Sequence, residues 1–166
     1  PVDPQAQVTT GQSPMIANRT LTITGRVQTD ARSGVIVAQG GREQGYAVHL
    51  LNGHLAFDVR IDGQVSRITS KNHAPKSFRF EATLTATRLA IAIDGTEVAE
   101  AVSPGLIPVQ PKDGMTIGRD ELSAAGDYQA PNPLDGKVTD LKVLPGKPLP
   151  TPNEKSLPPK LSPRSP

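Results

Sequence analysis

The chain has 166 residues with no cysteine, no tryptophan and only 3% aromatic residues. This length suits one domain with a sizeable core, and the missing cysteine excludes disulfides, thiolate metal sites and a cysteine nucleophile. The net charge is +2, but residues 145–166 hold four cations against one carboxylate, so the rest of the chain is close to neutral. That balance predicts no nucleic-acid partner.

Proline marks both ends of the chain, since eight of the 17 prolines lie within residues 145–166. Proline-rich segments lack backbone donors and favour extended chain. We therefore expect a loose lead-in over residues 1–15, a folded domain over residues 16–144 and a basic tail or linker over residues 145–166. A docking peptide for a proline-recognising partner is the alternative for the tail.

No apolar run approaches the ~18 residues of a membrane helix, which predicts no membrane partner. The first residues do not have the pattern of a signal peptide. We expect that an exported form of the protein would have lost its signal already.

Between the two ends, apolar and polar residues alternate with a period of two, most clearly over residues 55–61 and 78–84. This alternation is typical of antiparallel strands with one face on a core. Asn-Gly or Asp-Gly pairs that begin at residues 52, 62 and 94 suit tight hairpin turns. The pattern predicts strands over residues 19–29, 34–40, 46–52, 54–61, 64–70, 76–85, 88–94, 96–102, 115–118 and 136–144.

No stretch shows a sustained helical period. The predicted fold class is therefore all-β, an antiparallel two-sheet jelly-roll sandwich of about ten strands. Two connections, residues 103–114 and 119–135, are too long for hairpins. Loops of that length in a compact domain usually carry function or cross between sheets.

Four motifs in order resemble those of laminin-G and concanavalin-like sandwiches. They are the hairpin of residues 45–57, the hairpin of residues 92–98, the strand of residues 115–118 and the closing strand of residues 134–143. Together they span about residues 18–144. The resemblance implies a concanavalin/laminin-G-like fold, whose members often hold calcium at a rim loop.

A narrower resemblance concerns residues 34–46 and the segments 117–120 and 126–131, which are similar to the C-terminal β-sandwich of bacterial, planctomycete-type arylsulfatases. It implies a non-catalytic accessory domain of an arylsulfatase-like sulfuric ester hydrolase, secreted or periplasmic. The partner would be the sulfatase catalytic domain, in cis or as a separate chain, and the accessory domain would shape substrate access. Such a domain would present one apolar face for that contact.

The catalytic motifs that accompany these resemblances are missing. The sulfatase motif Cys/Ser-x-Pro-x-Arg has its nearest match at residues 156–160, where Lys160 replaces the arginine. Glucanases of this fold pair carboxylates on one strand, whereas Glu97 and Glu100 are three residues apart, which predicts opposite faces. With no G-x-S-x-G elbow either, we expect no enzymatic activity from this chain alone and no cofactor, calcium being the possible exception.

Two histidines flank the Asn52-Gly53 turn. His49 and His54 could face each other across the hairpin and bind a metal ion with a carboxylate such as Asp58. The alternative, which we favour, is that both histidines are exposed on a solvated sheet face.

The 119–135 loop brings one cation, four carboxylates and a phenol into a single connection. The residues predicted to contact a ligand or a neighbouring domain are Arg119, Asp120, Asp127, Tyr128, His49 and His54. The candidate ligands for calcium, which prefers oxygen ligands, are Asp120, Asp127 and Asp135. The fourth carboxylate of the loop is Glu121. The structural alternative is that Asp120 pairs with Arg119 or accepts from loop amides, while Tyr128 packs the loop on the sheet.

Three functions from different classes follow. The main interpretation is the accessory domain, and the alternative is a stand-alone carbohydrate-binding or adhesion module. A scaffold or oligomerisation domain without a ligand is the third. The carbohydrate-binding alternative is weakened because Phe57, Phe78 and Phe80 are predicted on core faces, which leaves only Tyr46 and Tyr128 for an aromatic platform.

Overall fold

The computed structural model describes residues 13–120 and 123–148. The expectations for residues 1–12, Glu121 and the tail beyond residue 148 lie outside these described residues. The described residues form strands β1 (Leu21–Thr29), β2 (Gly34–Gly40), β3 (Gln44–Leu51), β4 (His54–Ile61), β5 (Gln64–Thr69), β6 (Ser77–Leu84), β7 (Arg88–Ile93), β8 (Thr96–Val102), β9 (Met115–Ile117) and β10 (Gly136–Pro145). Within the described residues there is no helix that could span a membrane.

Two five-stranded antiparallel sheets form a sandwich, which confirms the all-β, two-sheet prediction. Sheet A has the order β10-β1-β6-β7-β8, and sheet B has the order β5-β4-β3-β2-β9. The chain changes sheets after β1, β5, β8 and β9. The long loops 103–114 and 119–135 make the last two of these crossings, so one role predicted for them is confirmed.

The apolar faces of the strands meet between the sheets. Tyr46, Phe57 and Phe80 are among the largest fully buried side chains, and Phe78 is also buried. The Tyr46 hydroxyl donates to Gln39 Oε1 at 3.1 Å, so its polar end is paired within the core. Burial raises the pKa of Tyr46. Four of the five aromatic side chains are thus core residues, as the alternation predicted for the three phenylalanines.

The three central strands of sheet B, β2, β3 and β4, are buried on both sides. Every residue of β2 is buried, and the interior of β3 and β4 is buried too. A strand covered on both faces reads as a continuous apolar run, and β2 has the sequence GVIVAQG. Val35, Ala38 and Ala47 form a small second cluster, separate from the main core, against which Tyr128 packs. The 119–135 loop therefore covers the outer face of sheet B.

Sheet A, in contrast, leaves its outer face open to solvent. Its central strands alternate buried and accessible residues, and the accessible positions of β6 carry serine, arginine, glutamate and threonine. The large apolar side chains that are exposed in the described part of the chain, Met15, Val102, Val109 and Leu144, lie on four separate segments. The apolar face expected of an accessory domain is therefore not found within that part.

The ends of the folded unit extend further than the proline pattern predicted. Pro145 pairs with Leu21 as the last residue of β10, which a proline can do on an edge strand because its missing N–H is not needed there. At the other end, the Pro14 carbonyl accepts from the side chains of Gln39 and Gln110 at 2.8 and 3.0 Å. The described part of the predicted lead-in is thus held against the fold.

A β-bulge makes the prediction that Glu97 and Glu100 lie on opposite faces wrong. The register of β7 and β8 shifts between Ile91 and Ala92, so Glu97 and Glu100 both reach the Arg88 guanidinium instead of lying on opposite faces. A bulge inserts one residue and thereby turns the following side chains to the other face. No periodicity rule could show this from the sequence alone.

Gly25 lies in the middle of β1, directly opposite Phe80 of β6. A Cβ atom built there would lie 2.9 Å from Phe80 Cε1 and 3.2 Å from Leu141 Cδ1. We expect Gly25→Ala to lower the free energy of unfolding by about 1–3 kcal/mol through overpacking. Urea denaturation measures this change, with Thr22→Ala on the accessible face of the same strand as the control. A stability equal to that of the control would contradict the packing described here.

Candidate functional site

The 119–135 loop is tied to sheet B by hydrogen bonds near both of its ends and is closed by a bond between them. The Val35 amide donates to the carbonyl of Asn132 at 2.8 Å, and the Asp120 amide donates to that of Pro131 at 2.8 Å. The carbonyl of Arg119 accepts from the Thr116 hydroxyl. These bonds close the loop on itself and lay it across the outer face of the sheet.

Beneath the loop, Asp58 is fully buried and each of its carboxylate oxygens accepts hydrogen bonds. Oδ1 accepts from Arg67 Nε at 2.7 Å, and Oδ2 accepts from His49 Nε2, a second Arg67 nitrogen and the Asp127 amide at 2.9–3.0 Å. Burial alone would raise the pKa of Asp58, but these donors outweigh it and hold that pKa below its usual range. Asp58 therefore joins β3, β5 and the loop through one charge.

Two arginines complete the attachment of the loop. Arg67 also donates to the Asp127 carbonyl at 2.9 Å. Arg60 donates to the carbonyls of Ala125 and Gly126 at 3.0 and 2.9 Å. Because planar guanidinium groups present several donors in a fixed geometry, each arginine can hold two backbone carbonyls or a carboxylate and a carbonyl at once. These side chains are occupied by the fold.

Asp120 and Tyr128 form the inner contact of the loop. The Asp120 carboxylate is almost completely buried and accepts from the Tyr128 hydroxyl and, at 2.7 Å, from the Ala125 amide. Burial raises the pKa of Asp120, and these donors only partly offset it. Burial and the neighbouring Asp120 charge both raise the pKa of Tyr128. The observed contacts are those of the structural alternative: Asp120 accepts hydrogen bonds from loop groups, and Tyr128 packs the loop on the sheet.

The predictions for the two histidines require correction. His49 is fully buried rather than exposed, with Nε2 on Asp58 and the Tyr128 ring edge-on at 5.0 Å. His54 pairs in register with Leu51, and His49 pairs with Ala56, so the two histidines do not face each other. His54 lies instead against the His73 ring at 4.6 Å and donates through Nδ1 to the Ser70 carbonyl. The loop, which periodicity does not reveal, accounts for the burial of His49.

The three carboxylates proposed for calcium have different surroundings. Asp120 is engaged as described, Asp127 is exposed and meets Asp58 through its backbone amide, and the Asp135 carbonyl accepts from the Thr29 hydroxyl. Among the described residues, no group of three or more histidine, aspartate or glutamate side chains is placed to hold a metal ion. A calcium site on this loop stays a prediction from the sequence.

A groove lies on the open side of the molecule, at the end of β10, β1 and β6. One hollow of about 250 Å³ is bordered by Arg26, Gln28, Arg79 and Lys137, among other residues. A second hollow of about 550 Å³ shares Gln28 and Ser77 with the first, so the two lie side by side. Volumes of this order suit a small ligand. We call these two hollows the β1 groove.

The strand registers place the polar side chains of the β1 groove. Arg26 lies opposite Arg79 of β6, and opposite Thr139 of β10 after a register shift in that pair. Gln28 lies opposite Lys137 in the same way. The side chains of Arg79 and Lys137 have no hydrogen-bond or ion-pair partner among residues 13–120 and 123–148. The β1 groove therefore offers unoccupied donors.

Sequence reasoning missed the β1 groove, although one signal for it was available. The alternation in β1 and β6 does put Arg26 and Arg79 on the polar faces of their strands. What it does not provide is the pairing of two strands that lie about 50 residues apart, or the bulge that sets Lys137 beside Gln28. Predicted site residues in the loop were polar as well, but the fold uses them internally.

Comparison with known proteins supports the fold. No protein-family model matches the chain, and no curated protein matches its sequence. Among solved structures, mouse laminin α1 domains LG4–5 superpose with a TM-score of 0.67 at 14% identity, over 84% of this chain and 39% of that chain. The SAP-like pentraxin of Limulus polyphemus gives a TM-score of 0.55 at 16% identity, over 78% of this chain and 65% of that chain.

A third structure is the CBM40 module of the Ruminococcus gnavus IT-sialidase bound to α2,3-sialyllactose. It gives a TM-score of 0.57 at 10% identity, over 83% of this chain and 80% of that chain. The chain spans less than two thirds of the laminin and pentraxin chains it resembles. At these identities the comparisons show a laminin-G/concanavalin-like sandwich.

The buried Asp58 carboxylate should dominate the stability of the loop face. Replacing it by asparagine leaves Arg67 and His49 without their charged acceptor, so we expect Asp58→Asn to cost about 3 kcal/mol at pH 7. Urea denaturation measures this, with exposed Asp62→Asn as the matched control. If both variants lost the same small amount, the role given to Asp58 would be wrong.

The same variant should show a characteristic pH dependence. Because the folded pKa of Asp58 is held below its unfolded value of about 3.9, its stabilisation is complete above about pH 5 and is lost as the pH falls through the folded pKa. The difference in stability between the parent and Asp58→Asn should therefore shrink from pH 6 to pH 3. A difference that stayed constant or grew over this range would contradict the assignment.

Calcium can be tested on the loop carboxylates directly. Since the Asp120 carboxylate is already engaged by Tyr128 and Ala125, we expect no rise in the melting temperature of the parent with millimolar calcium. Differential scanning fluorimetry with calcium and with EDTA measures this. A rise in the parent that the double variant Asp120→Asn/Asp127→Asn loses would show that the loop binds calcium.

Proposed function

We propose that this chain is a non-catalytic carbohydrate-binding module that holds a glycan in the β1 groove. The observation that carries the proposal is the groove itself. It is a pair of adjacent hollows on the solvent-exposed sheet, bordered by amide, hydroxyl and cationic side chains. Those of Gln28, Arg79 and Lys137 have no partner among residues 13–120 and 123–148. Sugar hydroxyls are recognised by such donors and acceptors.

The covering of sheet B supports the choice of sheet A. The outer face of sheet B lies under the 119–135 loop, whose backbone at residues 125–127 is held by Asp58, Arg60 and Arg67. A glycan could reach that face only after these contacts open. The solved structures that resemble this chain include a CBM40 module bound to sialyllactose, which is consistent with a carbohydrate ligand for a sandwich of this kind.

The association with a sulfatase belongs to the proposal only as an extension. It rests on the resemblance of residues 34–46, 117–120 and 126–131, and the comparisons contain nothing that supports it. A glycan-binding module attached to a secreted or periplasmic hydrolase would unite both interpretations. In that arrangement the module would bring the catalytic domain to its substrate, with no need for an apolar contact face.

Glycan-array screening of the full chain, followed by isothermal titration calorimetry, tests the proposal. We expect binding to at least one glycan and a Kd at least fivefold higher in the double variant Gln28→Ala/Thr139→Ala, because two groove side chains are lost. The control is Gln64→Ala on the exposed edge strand β5, which should bind like the parent. A silent array, or a double variant that binds like the parent, would overturn the proposal.

A further inference from the structure

Two arginines stand directly opposite each other on neighbouring strands of the β1 groove. Arg26 on β1 pairs in register with Arg79 on β6, and both are exposed on the outer face of sheet A. Cross-strand partners have Cβ atoms roughly 5 Å apart, and like charges at that position destabilise a sheet. The arginine pair is thus unfavourable for the stability of the sheet. Local departures of this kind from what stability favours are typical of functional positions.

The fold does little to neutralise this pair. The Arg26 guanidinium lies 3.5 Å from the Asp140 carboxylate, but those side chains are 61% and 71% exposed, so the ion pair is weak and easily exchanged. Arg79 contributes only its backbone amide, which donates to Asp94 Oδ1 at 2.9 Å. Lys137 adds a third cation on the same border. Arg26, Arg79 and Lys137 thus border a hollow of about 250 Å³ together with one carboxylate, Asp94, while a second carboxylate, Asp140, lies against Arg26.

Other arginines of the described chain are used differently. Arg60 and Arg67 hold the loop, and Arg88 bridges Glu97 and Glu100. Each of these guanidinium groups has two or more partners within the fold. The guanidinium of Arg79 has none in the described ranges, so its donors face the hollow or solvent.

On these grounds, and resting on the proposed function, we infer that the glycan carries an anionic group, a carboxylate or a sulfate, and that Arg26 and Arg79 bind it together with Lys137. A guanidinium group presents parallel N–H donors that match two oxygens of a carboxylate or sulfate. An anion between the two arginines would also remove their mutual repulsion. This second gain is absent for a neutral sugar.

The aromatic residues point the same way. Tyr46, Phe57, Phe78 and Phe80 are buried in the core, and Tyr128 packs beneath the loop. The described face of sheet A has no aromatic ring on which a neutral sugar could stack. Affinity in the β1 groove must therefore come from hydrogen bonds and charge.

The test is a glycan array in which every acidic glycan is printed beside its neutral counterpart, including lactose, α2,3-sialyllactose and 3′-sulfolactose. We expect at least tenfold stronger binding to acidic members than to their counterparts. The separate carboxylate and sulfate arms identify which anion is bound. Binding should weaken as NaCl is raised from 50 to 500 mM, because the contact is ionic.

Matched variants locate the contact. By calorimetry with the strongest acidic glycan, Arg79→Gln and Arg26→Gln should each raise the Kd at least tenfold, and Arg79→Lys should have an intermediate effect. Arg42→Gln, which removes an exposed charge from the turn between β2 and β3, should leave the Kd within twofold. Both groove variants should fold, because the Arg26 and Arg79 side chains are exposed. Melting temperatures equal to or above that of the parent verify this.

The outcomes separate this inference from the proposed function. Equal binding of acidic and neutral counterparts, or full binding by Arg26→Gln and Arg79→Gln, would overturn the anionic ligand while leaving a glycan-binding module in place. A silent array would overturn both. Acidic binding that is lost in the two arginine variants but retained in Arg42→Gln would establish both.

Discussion

The arrangement of this protein depends on one buried carboxylate. Asp58 sits on the outer side of sheet B, where an unpaired charge would be very costly, and it is held by Arg67, His49 and the Asp127 amide. These bonds draw the 119–135 loop across the sheet and allow β2 to be apolar on both sides. As a result sheet B becomes an inner layer, and sheet A is left as the open face of the sandwich.

The division between a covered and an open sheet determines where a ligand can bind. Asp58, Arg60 and Arg67 are engaged by one another or by the loop backbone, so they hold structure rather than a ligand. On sheet A the charges are exposed, and at the β1 groove they repel each other. The strands that carry Arg26 and Arg79 are central members of that sheet, so the side chains extend from rigid backbone. Because the backbone positions are fixed, binding has to order only the side chains themselves.

Most of the fold could be predicted from the sequence, because strands with one buried face alternate strictly and end at recognisable turns. The ten predicted strands match the observed ones to within two residues at each end. The candidate site could not be predicted, since alternation shows which face a residue occupies but not what covers that face. The two-residue alternation predicts that His49 and Asp58 face solvent, and only the path of the loop buries them. Likewise, Arg26 and Arg79 are opposed through a pairing between strands far apart in sequence.

The central claim is that the open face of sheet A, and not the loop on sheet B, meets the ligand. Titration of the ¹⁵N-labelled chain with its strongest array glycan, followed by amide chemical-shift mapping, tests this most directly. The account predicts that the largest shifts fall on Gln28, Ser77, Arg79 and Lys137 and that residues 123–132 stay unchanged. Shifts concentrated in the loop, or around His54 and His73, would contradict it.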